Sequence, residues 1–267
     1  MSGNKQSALC GLINNTFINN QIFRLDFEWP GEPPKAGQFF MIKPARTSVF
    51  LGRPISVAAW NSVSKIVSFL VAVRGKGTAE FAEMRAGETA LLTGPLGNSW
   101  ADFMPEAAGH ANGKPVALAG GGIGVAPLEA LYAEFPGYRF DFYAGFRTGF
   151  SGDDEKAGIL GPAASPPVGS SLVIATEDGT EGVKGLIPGF IDPRKYSRVF
   201  ACGPEPMLKK IAAQCGAAGV PCFVSLERYM ACGAGACLGC TVKTINGNRR
   251  CCADGPIFPA EELIFDE

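Results

Sequence analysis

Five of the nine cysteines in this chain lie close together near its C-terminus. Cys232, Cys237 and Cys240 follow the spacing C-x4-C-x2-C, and Cys251 and Cys252 come shortly after them. Thiolates at this spacing, with a fourth one downstream, are typical ligands of a plant-type 2Fe-2S cluster, whereas structural zinc sites use C-x2-C pairs or histidines. The pattern therefore predicts an iron–sulfur cluster, and the spacing alone leaves the fourth ligand open between Cys251 and Cys252.

Glycines separate these cysteines at Gly233, Gly235 and Gly239. Because glycine allows tight backbone turns, we expect a loop that points amide N–H groups at the sulfur atoms. The other four cysteines are scattered among apolar or mixed residues and are predicted to be buried thiols: Cys10, Cys202, Cys215 and Cys222.

The composition excludes several classes of function. The 267 residues carry 24 basic and 25 acidic side chains with no long run of one sign, which argues against a nucleic-acid or anionic-membrane surface. The longest apolar stretch, residues 115–133, contains Pro127 and Glu129, so no membrane-spanning helix is predicted. The first residues carry no export signal, so we expect a cytoplasmic protein with reduced cysteines. The single histidine, His110, is interpreted as a solvated loop residue.

Two patterns of elements precede the cysteines. Short apolar runs separated by turns fill residues 10–94 and predict a small antiparallel barrel. Further along, buried strands alternate with helical segments, which predicts a parallel α/β sheet. The predicted architecture is thus α/β plus β-barrel, divided into residues 1–102, 103–218 and a cluster-binding segment, 219–267. Residues 151–170, rich in glycine, proline and serine, are predicted to form a loop.

Two glycine-rich turns join predicted strands to predicted helices in the second unit. Residues 120–127 read Gly-Gly-Gly-Ile-Gly-Val-Ala-Pro, and residues 202–207 repeat the arrangement as Cys-Gly-Pro-Glu-Pro-Met. Such turns place backbone N–H groups at a helix N-terminus, where a pyrophosphate binds. The first turn lacks the third glycine of the G-x-G-x-x-G fingerprint, so a tight structural turn stays open as the alternative. Two such turns facing one crevice favour a dinucleotide site.

Two further motifs lie in the predicted barrel. Arg53-Pro54-Ile55-Ser56 offers a guanidinium suited to phosphate and a hydroxyl suited to a ring nitrogen; the alternative is an exposed arginine beside a turn. Residues 75–78, Gly-Lys-Gly-Thr, open a short helix and can form a backbone cradle for an anion. Each motif is weak alone, and their order along the chain carries more information.

That order resembles the ferredoxin reductase superfamily over nearly the whole chain. Two segments closely resemble the family of dihydroorotate dehydrogenase B electron transfer subunits: residues 226–240 around the first cysteines, and Cys252-Ala-Asp-Gly-Pro-Ile-Phe at residues 252–258. The resemblance implies an N-terminal FAD-binding barrel, an NAD-binding α/β domain and a C-terminal 2Fe-2S segment. It also implies Cys252 as the fourth ligand, because the family's ligand lies in the C-x-D-G-P motif.

The resemblance implies roles for further residues by position. It implies that two strands and one helix start bind FAD, through Arg53, Pro54, Ile55, Ser56, Leu70, Val71, Ala72, Gly77 and Thr78. It implies that the two glycine turns border the nicotinamide nucleotide, through Gly121, Gly122, Gly124, Cys202 and Gly203. The implied cluster ligands are Cys232, Cys237, Cys240 and Cys252.

The activity implied by the resemblance is that of a flavin and iron–sulfur NAD(H) oxidoreductase subunit. In the family, electrons pass from dihydroorotate to FMN in a separate catalytic subunit, then through the 2Fe-2S cluster and FAD to NAD+, in pyrimidine (UMP) biosynthesis. A heterotetramer with two copies of each subunit is implied. This chain lacks the long barrel that the catalytic subunit needs.

Three alternatives stay open. The small subunits of bifurcating ferredoxin–NADP reductases share the layout but have aspartate at the first ligand position, where this chain has Cys232. A reductase component serving a ferredoxin or an oxygenase would also use FAD and a 2Fe-2S cluster. A zinc-bearing interaction module would use neither FAD nor an iron–sulfur cluster. Arg139 and Arg147 are the residues that would favour the 2′-phosphate of NADP over the NAD implied by the resemblance.

Overall fold

Six antiparallel strands close the N-terminal part of the chain into a barrel. The computed structural model describes residues 6–105, 113–166 and 168–265, and His110 lies outside them. The strands are β1 (Gln6–Phe17), β2 (Ile22–Glu28), β3 (Phe39–Pro44), β4 (Arg53–Asn61), β5 (Ile66–Ala72) and β6 (Thr89–Leu96); helix α1 (Lys76–Glu83) follows β5. They pair antiparallel in the order β1-β2-β5-β4-β3-β6. The predicted antiparallel barrel is confirmed.

Aromatic side chains fill the barrel. Phe23, Phe27, Phe40 and Phe69 are fully buried, and Phe40 packs edge-on against Trp29 and Phe69, with ring centroids 4.8 and 5.5 Å apart. Burying each phenylalanine contributes about 1.5–3 kcal/mol, and edge-on ring pairs add to that. This packing holds β4 and β5, which carry most of the predicted FAD residues, in fixed positions.

A mainly parallel sheet forms the second part of the fold. Its parallel strands are β7 (Val116–Gly121), β8 (Phe140–Phe146), β9 (Ser171–Thr176), β10 (Val183–Lys184), β11 (Arg198–Cys202) and β12 (Cys222–Ser225). Three helices cover it: α2 (Ala126–Glu134), α3 (Asp153–Leu160) and α4 (Glu205–Ala218). One apolar cluster joins the sheet to α4, and a second joins it to α2 and α3. Apolar cover on both faces is typical of a parallel sheet, and the prediction of an α/β layer is confirmed.

The cysteine-bearing segment is tied into this sheet. It contributes the hairpin β13 (Thr241–Thr244) and β14 (Gly247–Arg250), the short helix α5 (Cys251–Asp254) and strand β15 (Ile257–Pro259). β15 pairs antiparallel with β12, and the sheet order is β10-β9-β8-β7-β11-β12-β15. Asn98, just after the barrel, donates to the Ile257 carbonyl at 2.7 Å and accepts from the Ile257 N–H at 3.0 Å. The cysteine loop, residues 230–240, is thus bracketed by two strands of the sheet.

The helices depart from the sequence expectation at one place. Residues 151–170, predicted to form a loop, contain α3, whose first turn holds three acidic residues that suit a helix N-terminus. The Glu155 carboxylate accepts from the Ser151 N–H at 2.6 Å, and Ile159 and Leu160 are buried. The loop prediction is wrong there because the glycine-rich composition outweighed these local helix signals. Among the described residues, no helix is both long and apolar enough to cross a lipid bilayer.

Candidate functional site

The cysteine loop surrounds its sulfur atoms with backbone N–H groups. The Ala234 N–H donates to Cys232 Sγ at 3.3 Å, and the Gly235 N–H donates to Cys252 Sγ at 3.1 Å. The N–H of Cys252 itself donates to Cys240 Sγ at 3.4 Å. Donors in these positions stabilise the negative charge of a sulfur-rich cluster, so the loop fits such a group.

The four thiols approach one another as two pairs. Cys232 hydrogen-bonds with Cys237, and Cys252 hydrogen-bonds with Cys240. Within the described residues, no three thiol, imidazole or carboxylate groups converge as the ligands of a single metal ion do. A 2Fe-2S cluster takes two thiolates on each of two iron atoms, whereas zinc takes four ligands around one centre. Two thiol pairs fit the two iron atoms of an iron–sulfur cluster.

The neighbouring thiols of Cys251 and Cys252 point in different directions. Cys251 Sγ is buried and donates to the Leu226 carbonyl at 3.2 Å. Burial raises the pKa of both thiols, Cys251 and Cys252, to about 12, so their contacts and not their acidity distinguish them. Cys252 Sγ instead faces the cysteine loop and accepts from Gly235. The geometry supports Cys252 as the fourth ligand and gives Cys251 a structural contact.

The loop turns at residues that differ in part from those expected. Gly233 and Gly235 have φ values of 62° and 78°, as expected, but the third left-handed residue is Leu238, at 59°, and not Gly239. A leucine in this region is strained, and its side chain here is 61% exposed. Gly239 lies close to the thiol of Cys237, where a Cβ atom would be 3.6 Å from the sulfur.

Two charged residues that the sequence analysis missed brace the helix carrying the last cysteines. The Arg250 guanidinium donates to both carboxylate oxygens of Asp254, at 2.9 and 3.0 Å. The Arg250 N–H also donates to this carboxylate, at 2.7 Å, and another guanidinium nitrogen donates to the Gly235 carbonyl at 3.4 Å. These bonds tie α5 to the cysteine loop. The available signal was an arginine and an aspartate four residues apart around the two cysteines.

One thiol is already suited to bind metal. The N–H groups of Cys237 and Ala234 lower the pKa of the Cys232 thiol to about 6. Because this pKa lies below neutral pH, the Cys232 thiol is mainly ionised at pH 7. Thiolate is the form that binds iron. Cys237 is exposed, whereas Cys240 and Cys252 are buried, so the first thiol pair lies nearer to solvent than the second.

The cysteine loop packs directly on the barrel. A Cβ atom on Gly233 would lie 2.6 Å from the Met41 side chain, so glycine is required for this close approach. Met41 lies on β3 opposite Pro54 of β4, and it shares an apolar cluster with Cys252. The loop therefore lies one strand away from the Arg53–Ser56 motif.

Arg53 lies against the first turn of α1. A Cβ atom on Gly77 would come within 2.6–2.8 Å of the guanidinium, and this guanidinium also donates to the Leu51 carbonyl at 2.8 Å. A helix N-terminus beside a guanidinium attracts an anion. The Thr78 hydroxyl accepts from the Arg74 N–H at 2.8 Å, so Thr78 shapes the turn and its hydroxyl is already bonded.

The other residues predicted to bind FAD lie on two adjacent barrel strands. They are Pro54, Ile55 and Ser56 on β4, and Leu70, Val71 and Ala72 on β5. The Val71 side chain points into the barrel core, whereas Leu70 packs against Ala126 at the start of α2. Strand β5 therefore contacts the segment that follows the first glycine turn, which brings the two groups of predicted residues together.

The two glycine turns interlock at the carboxyl edge of the sheet. β7 and β11 are parallel neighbours, with Cys202 opposite Gly120. A Cβ atom on Gly124 would lie 2.5 Å from the Cys202 carbonyl oxygen, and one on Gly203 would lie 2.9 Å from the Gly121 nitrogen. Backbone atoms cannot move aside cheaply, so both contacts depend on glycine.

Open space remains beside this interlock. Gly122 has φ 55°, and a Cβ atom there would have no neighbour within 4 Å. Burial raises the pKa of the Cys202 thiol, so the cysteine in the second turn is neutral. An open backbone turn at a strand's carboxyl end is where a pyrophosphate approaches an α/β sheet.

Arg139 and Arg147 lie at opposite ends of β8. Arg139 precedes the strand and donates to the Gly113 carbonyl, so it is at the edge away from the glycine turns. Arg147 follows the strand, and its carbonyl accepts from the Asp178 N–H at 3.3 Å. Hydrogen bonds from Thr180 lower the pKa of the Asp178 carboxyl, which is exposed. An acidic side chain at this edge suits the ribose hydroxyls of NAD and repels a 2′-phosphate.

Comparison with known proteins gives a family model and relatives that match most of the chain. The model for the iron–sulfur cluster binding domain of dihydroorotate dehydrogenase B matches residues 227–264. The chain is 36% identical over 256 residues to the dihydroorotate dehydrogenase B (NAD(+)) electron transfer subunit of Clostridium acetobutylicum, covering 96% of each chain. It is 40% identical over 234 residues to the subunit of the same name from Clostridium perfringens, covering 86% of this chain and 87% of that one.

Solved structures with the same fold include two reductases. The NADH-dependent reduced ferredoxin-NADP oxidoreductase, solved to explain flavin-based electron bifurcation, superposes with a TM-score of 0.80 at 27% identity, covering 99% of this chain and 91% of that one. A ferredoxin NADP+ reductase from Neisseria gonorrhoeae with bound FAD and NADP superposes with a TM-score of 0.64 at 17% identity, covering 80% and 92%. The predicted ferredoxin-reductase-like fold is confirmed.

Proposed function

The chain belongs to the family of dihydroorotate dehydrogenase B electron transfer subunits, and on this premise we propose that it passes electrons from a dihydroorotate-oxidising partner to NAD+ in pyrimidine biosynthesis. It is a redox enzyme subunit, and the oxidation of dihydroorotate takes place in the partner. The observation that carries the proposal is the position of β4, which lies between β3 and β5 in the barrel. The cysteine loop packs on β3 at Met41, and the start of α2 packs on β5 at Leu70.

The proposed cluster ligands are Cys232, Cys237, Cys240 and Cys252. Their two thiol pairs and the surrounding N–H donors support this set. When bound, FAD exchanges a hydride with the nicotinamide and single electrons with the 2Fe-2S cluster, and so links two-electron to one-electron chemistry. The protein's part is to bind both groups and to keep them at fixed separation.

The proposed FAD site extends along β4 and the facing end of β5. Arg53 and the first turn of α1 bind the pyrophosphate, and Gly77 leaves room for the guanidinium. Ser56 donates its hydroxyl to the flavin edge, with Pro54 and Ile55 completing the strand. The backbone of residues 70–72 lines the flavin, while Thr78 holds the turn before α1.

The proposed nicotinamide nucleotide site is the crevice at the carboxyl edge of the sheet. Gly121, Gly122 and Gly124 let the backbone approach the pyrophosphate, and Cys202 and Gly203 border the same crevice from β11. Asp178, which is charged at neutral pH, selects NAD over NADP by repelling the 2′-phosphate.

The proposed partner is an FMN-containing catalytic subunit, in a cytoplasmic heterotetramer with two copies of each chain. The cysteine loop is the proposed contact surface. Tyr229 beside it is 96% exposed, and Leu238 and the thiol of Cys237 also face solvent. An aromatic and an aliphatic side chain beside an exposed ligand suit a surface that a partner covers.

The first test is the visible spectrum of the chain purified without oxygen, before and after NADH, with FAD, iron and sulfide measured on the same sample. We expect flavin bands with a broad iron–sulfur shoulder, and we expect both to bleach with NADH. Colourless protein containing zinc would overturn the proposal in favour of an interaction module.

The second test separates the cluster from the flavin. Cys232→Ser should leave FAD bound, because no barrel residue changes. The variant should also still oxidise NADH when an artificial acceptor takes electrons directly from the flavin. Electron transfer from the dihydroorotate-oxidising partner to NAD+ should be lost. Normal transfer by this variant would refute the proposed route. Rapid transfer to a ferredoxin or an oxygenase, with none from such a partner, would instead identify a reductase component.

A further inference from the structure

The loop between β3 and β4 presents one large aromatic side chain to solvent. Phe50 is 87% exposed. The loop before it is anchored to α1, because the Glu80 carboxylate accepts from the hydroxyls of Thr47 and Ser48 and from the Ser48 N–H, the last at 3.2 Å. Phe50 thus projects from an anchored loop into solvent. Exposing an apolar ring to water is unfavourable, and the contacts of the ring within the chain give no reason for this exposure.

The other side of the loop is anchored at the proposed pyrophosphate site. Arg53 donates to the Leu51 carbonyl at 2.8 Å, and the same guanidinium lies against Gly77 in the first turn of α1. Glu80 lies one turn further along this helix. The elements proposed to hold the pyrophosphate therefore also fix the residues on both sides of Phe50.

An FAD extended along β4 would direct its adenosine half toward the loop that carries Phe50. The proposed contacts run along β4 from Ser56 at the flavin edge to Arg53 at the pyrophosphate, a span of about 10 Å for a strand. In an extended dinucleotide the adenosine leaves the pyrophosphate on the side opposite the flavin. Continuing from Arg53 in that direction, the chain passes Leu51 and reaches Phe50.

The chemistry of the ring matches this position. Aromatic side chains stack on nucleobases whatever the base, and removing one such contact typically weakens binding on the order of tenfold to a hundredfold. Lys43 Nζ lies 5.5 Å from the centroid of the Phe50 ring, which fixes the ring by a cation–π contact. A planar, anchored and exposed ring next to a phosphate site is suited to an adenine.

We infer that Phe50 is the platform on which the adenine of bound FAD stacks, and that Glu80 and Arg53 hold its loop in position. The inference rests on the proposed function, since it requires FAD at Arg53. It adds a binding residue outside the motifs that the sequence analysis singled out, and it accounts for an exposed aromatic side chain.

The experiment measures FAD affinity of the full chain after removal of its flavin, by quenching of flavin fluorescence, for wild type, Phe50→Ala and Phe50→Trp. We expect Phe50→Ala to weaken FAD binding on the order of tenfold to a hundredfold, and Phe50→Trp to restore it, because tryptophan keeps the stacking surface. The matched control is Val63→Ala, at an apolar residue that is 94% exposed in the β4–β5 turn and should bind FAD as wild type does. FMN, which lacks the adenosine half, should bind wild type and Phe50→Ala equally.

Two results would overturn the inference while leaving the proposed function intact. The first is wild-type FAD affinity in Phe50→Ala, which would make Phe50 a surface residue available to a protein partner. The second is equal loss of FAD and FMN affinity in both Phe50 variants, which would mean that the loop is disturbed as a whole. Failure of wild type itself to bind FAD would overturn both.

Discussion

The cysteine loop and the two glycine turns place their chemistry in opposite ways. In the loop, the functional atoms belong to side chains. Four thiols, three of them close in sequence, are arranged in pairs, and backbone N–H groups donate to their sulfur atoms. In the turns, the working atoms belong to the backbone, and Gly124 and Gly203 matter because they have no side chain. The loop is largely local, whereas the turns come from distant parts of the chain that meet only because β7 and β11 are neighbours.

This difference determines what each region tolerates. A side-chain site fails when one ligand is replaced, even if the backbone is unchanged. A backbone site fails when an added atom pushes two segments apart, even though no functional group is lost. Two substitutions test this distinction, and a third tests a buried carboxyl behind the first glycine turn.

The largest effect is expected from loss of a ligand side chain. Cys252→Ser removes a buried thiol that accepts from Gly235 and pairs with Cys240, so we expect iron and sulfide content to fall on the order of tenfold or more. Cys251→Ser is the matched control, because that thiol donates to the Leu226 carbonyl, and this variant should retain the cluster. Iron and sulfide analysis of both proteins, purified without oxygen, gives the answer. Equal loss of iron and sulfide from both variants would show that the direction of the two thiols does not decide which of them binds the cluster.

A smaller effect is expected from one added methyl group in the backbone site. Gly124→Ala places a Cβ atom 2.5 Å from the Cys202 carbonyl, so the two turns must separate. We expect the rate of flavin reduction by NADH to fall on the order of tenfold to a hundredfold, as positioning errors near 1 Å do, with FAD and iron content preserved.

The control for this variant is Gly216→Ala, within α4, where the new Cβ atom has no neighbour within 4 Å. Alanine at that helix position should raise stability by up to about 1 kcal/mol and leave the rate unchanged. Stopped-flow flavin reduction compares the two proteins. A wild-type rate in Gly124→Ala would show that the turns can separate without cost.

The smallest effect concerns a buried carboxyl behind the first glycine turn. Glu129 of α2 has one carboxylate oxygen with no hydrogen-bond partner among the described residues, and burial raises its pKa to about 8, with Arg24 opposing this in part. The folded protein therefore favours the neutral acid, and the unfolded chain does not. Its stability contribution is complete below the unfolded pKa near 4.5 and is lost as pH rises through about 8.

Glu129→Gln removes this dependence. Relative to the variant, wild type should lose up to about 1.4 kcal/mol of unfolding free energy per pH unit across this window, measured by urea unfolding at several pH values. Glu83→Gln, an exposed change on α1, should leave the pH profile as in wild type. Parallel profiles for wild type and Glu129→Gln would show that the carboxyl is solvated.

The sequence predicted the fold wherever the pattern was periodic and local. Short apolar runs separated by turns predicted the barrel, and alternating strands and helices predicted the parallel sheet. The pairing of β15 with β12 was not predictable, because the short Ile257–Pro259 run gives no periodic signal and its partner lies beyond the whole cysteine loop. Helix α3 was missed because only three acidic residues and one buried apolar pair mark it.

The candidate site was predictable to the same extent. The spacing of the cysteines predicted which thiols lie together, because three of them are within one loop. It could not distinguish Cys251 from Cys252, because successive side chains on a helical turn point about 100° apart and the register of α5 is set by Arg250 and Asp254. Phe50 carried no signal at all, since its position follows from anchors on α1 and at the start of β4.

The strand pairing that brackets the cysteine loop also determines how electrons can travel. A domain on a flexible tether must first find its neighbour, and the effective concentration in that search depends on the length and stiffness of the tether. Here β15 completes the sheet and Asn98 bonds it to the end of the barrel, so the loop has no tether on which to swing. With the cofactors bound as proposed, transfer between the cysteine loop and the barrel would therefore need no diffusional search of one domain for the other.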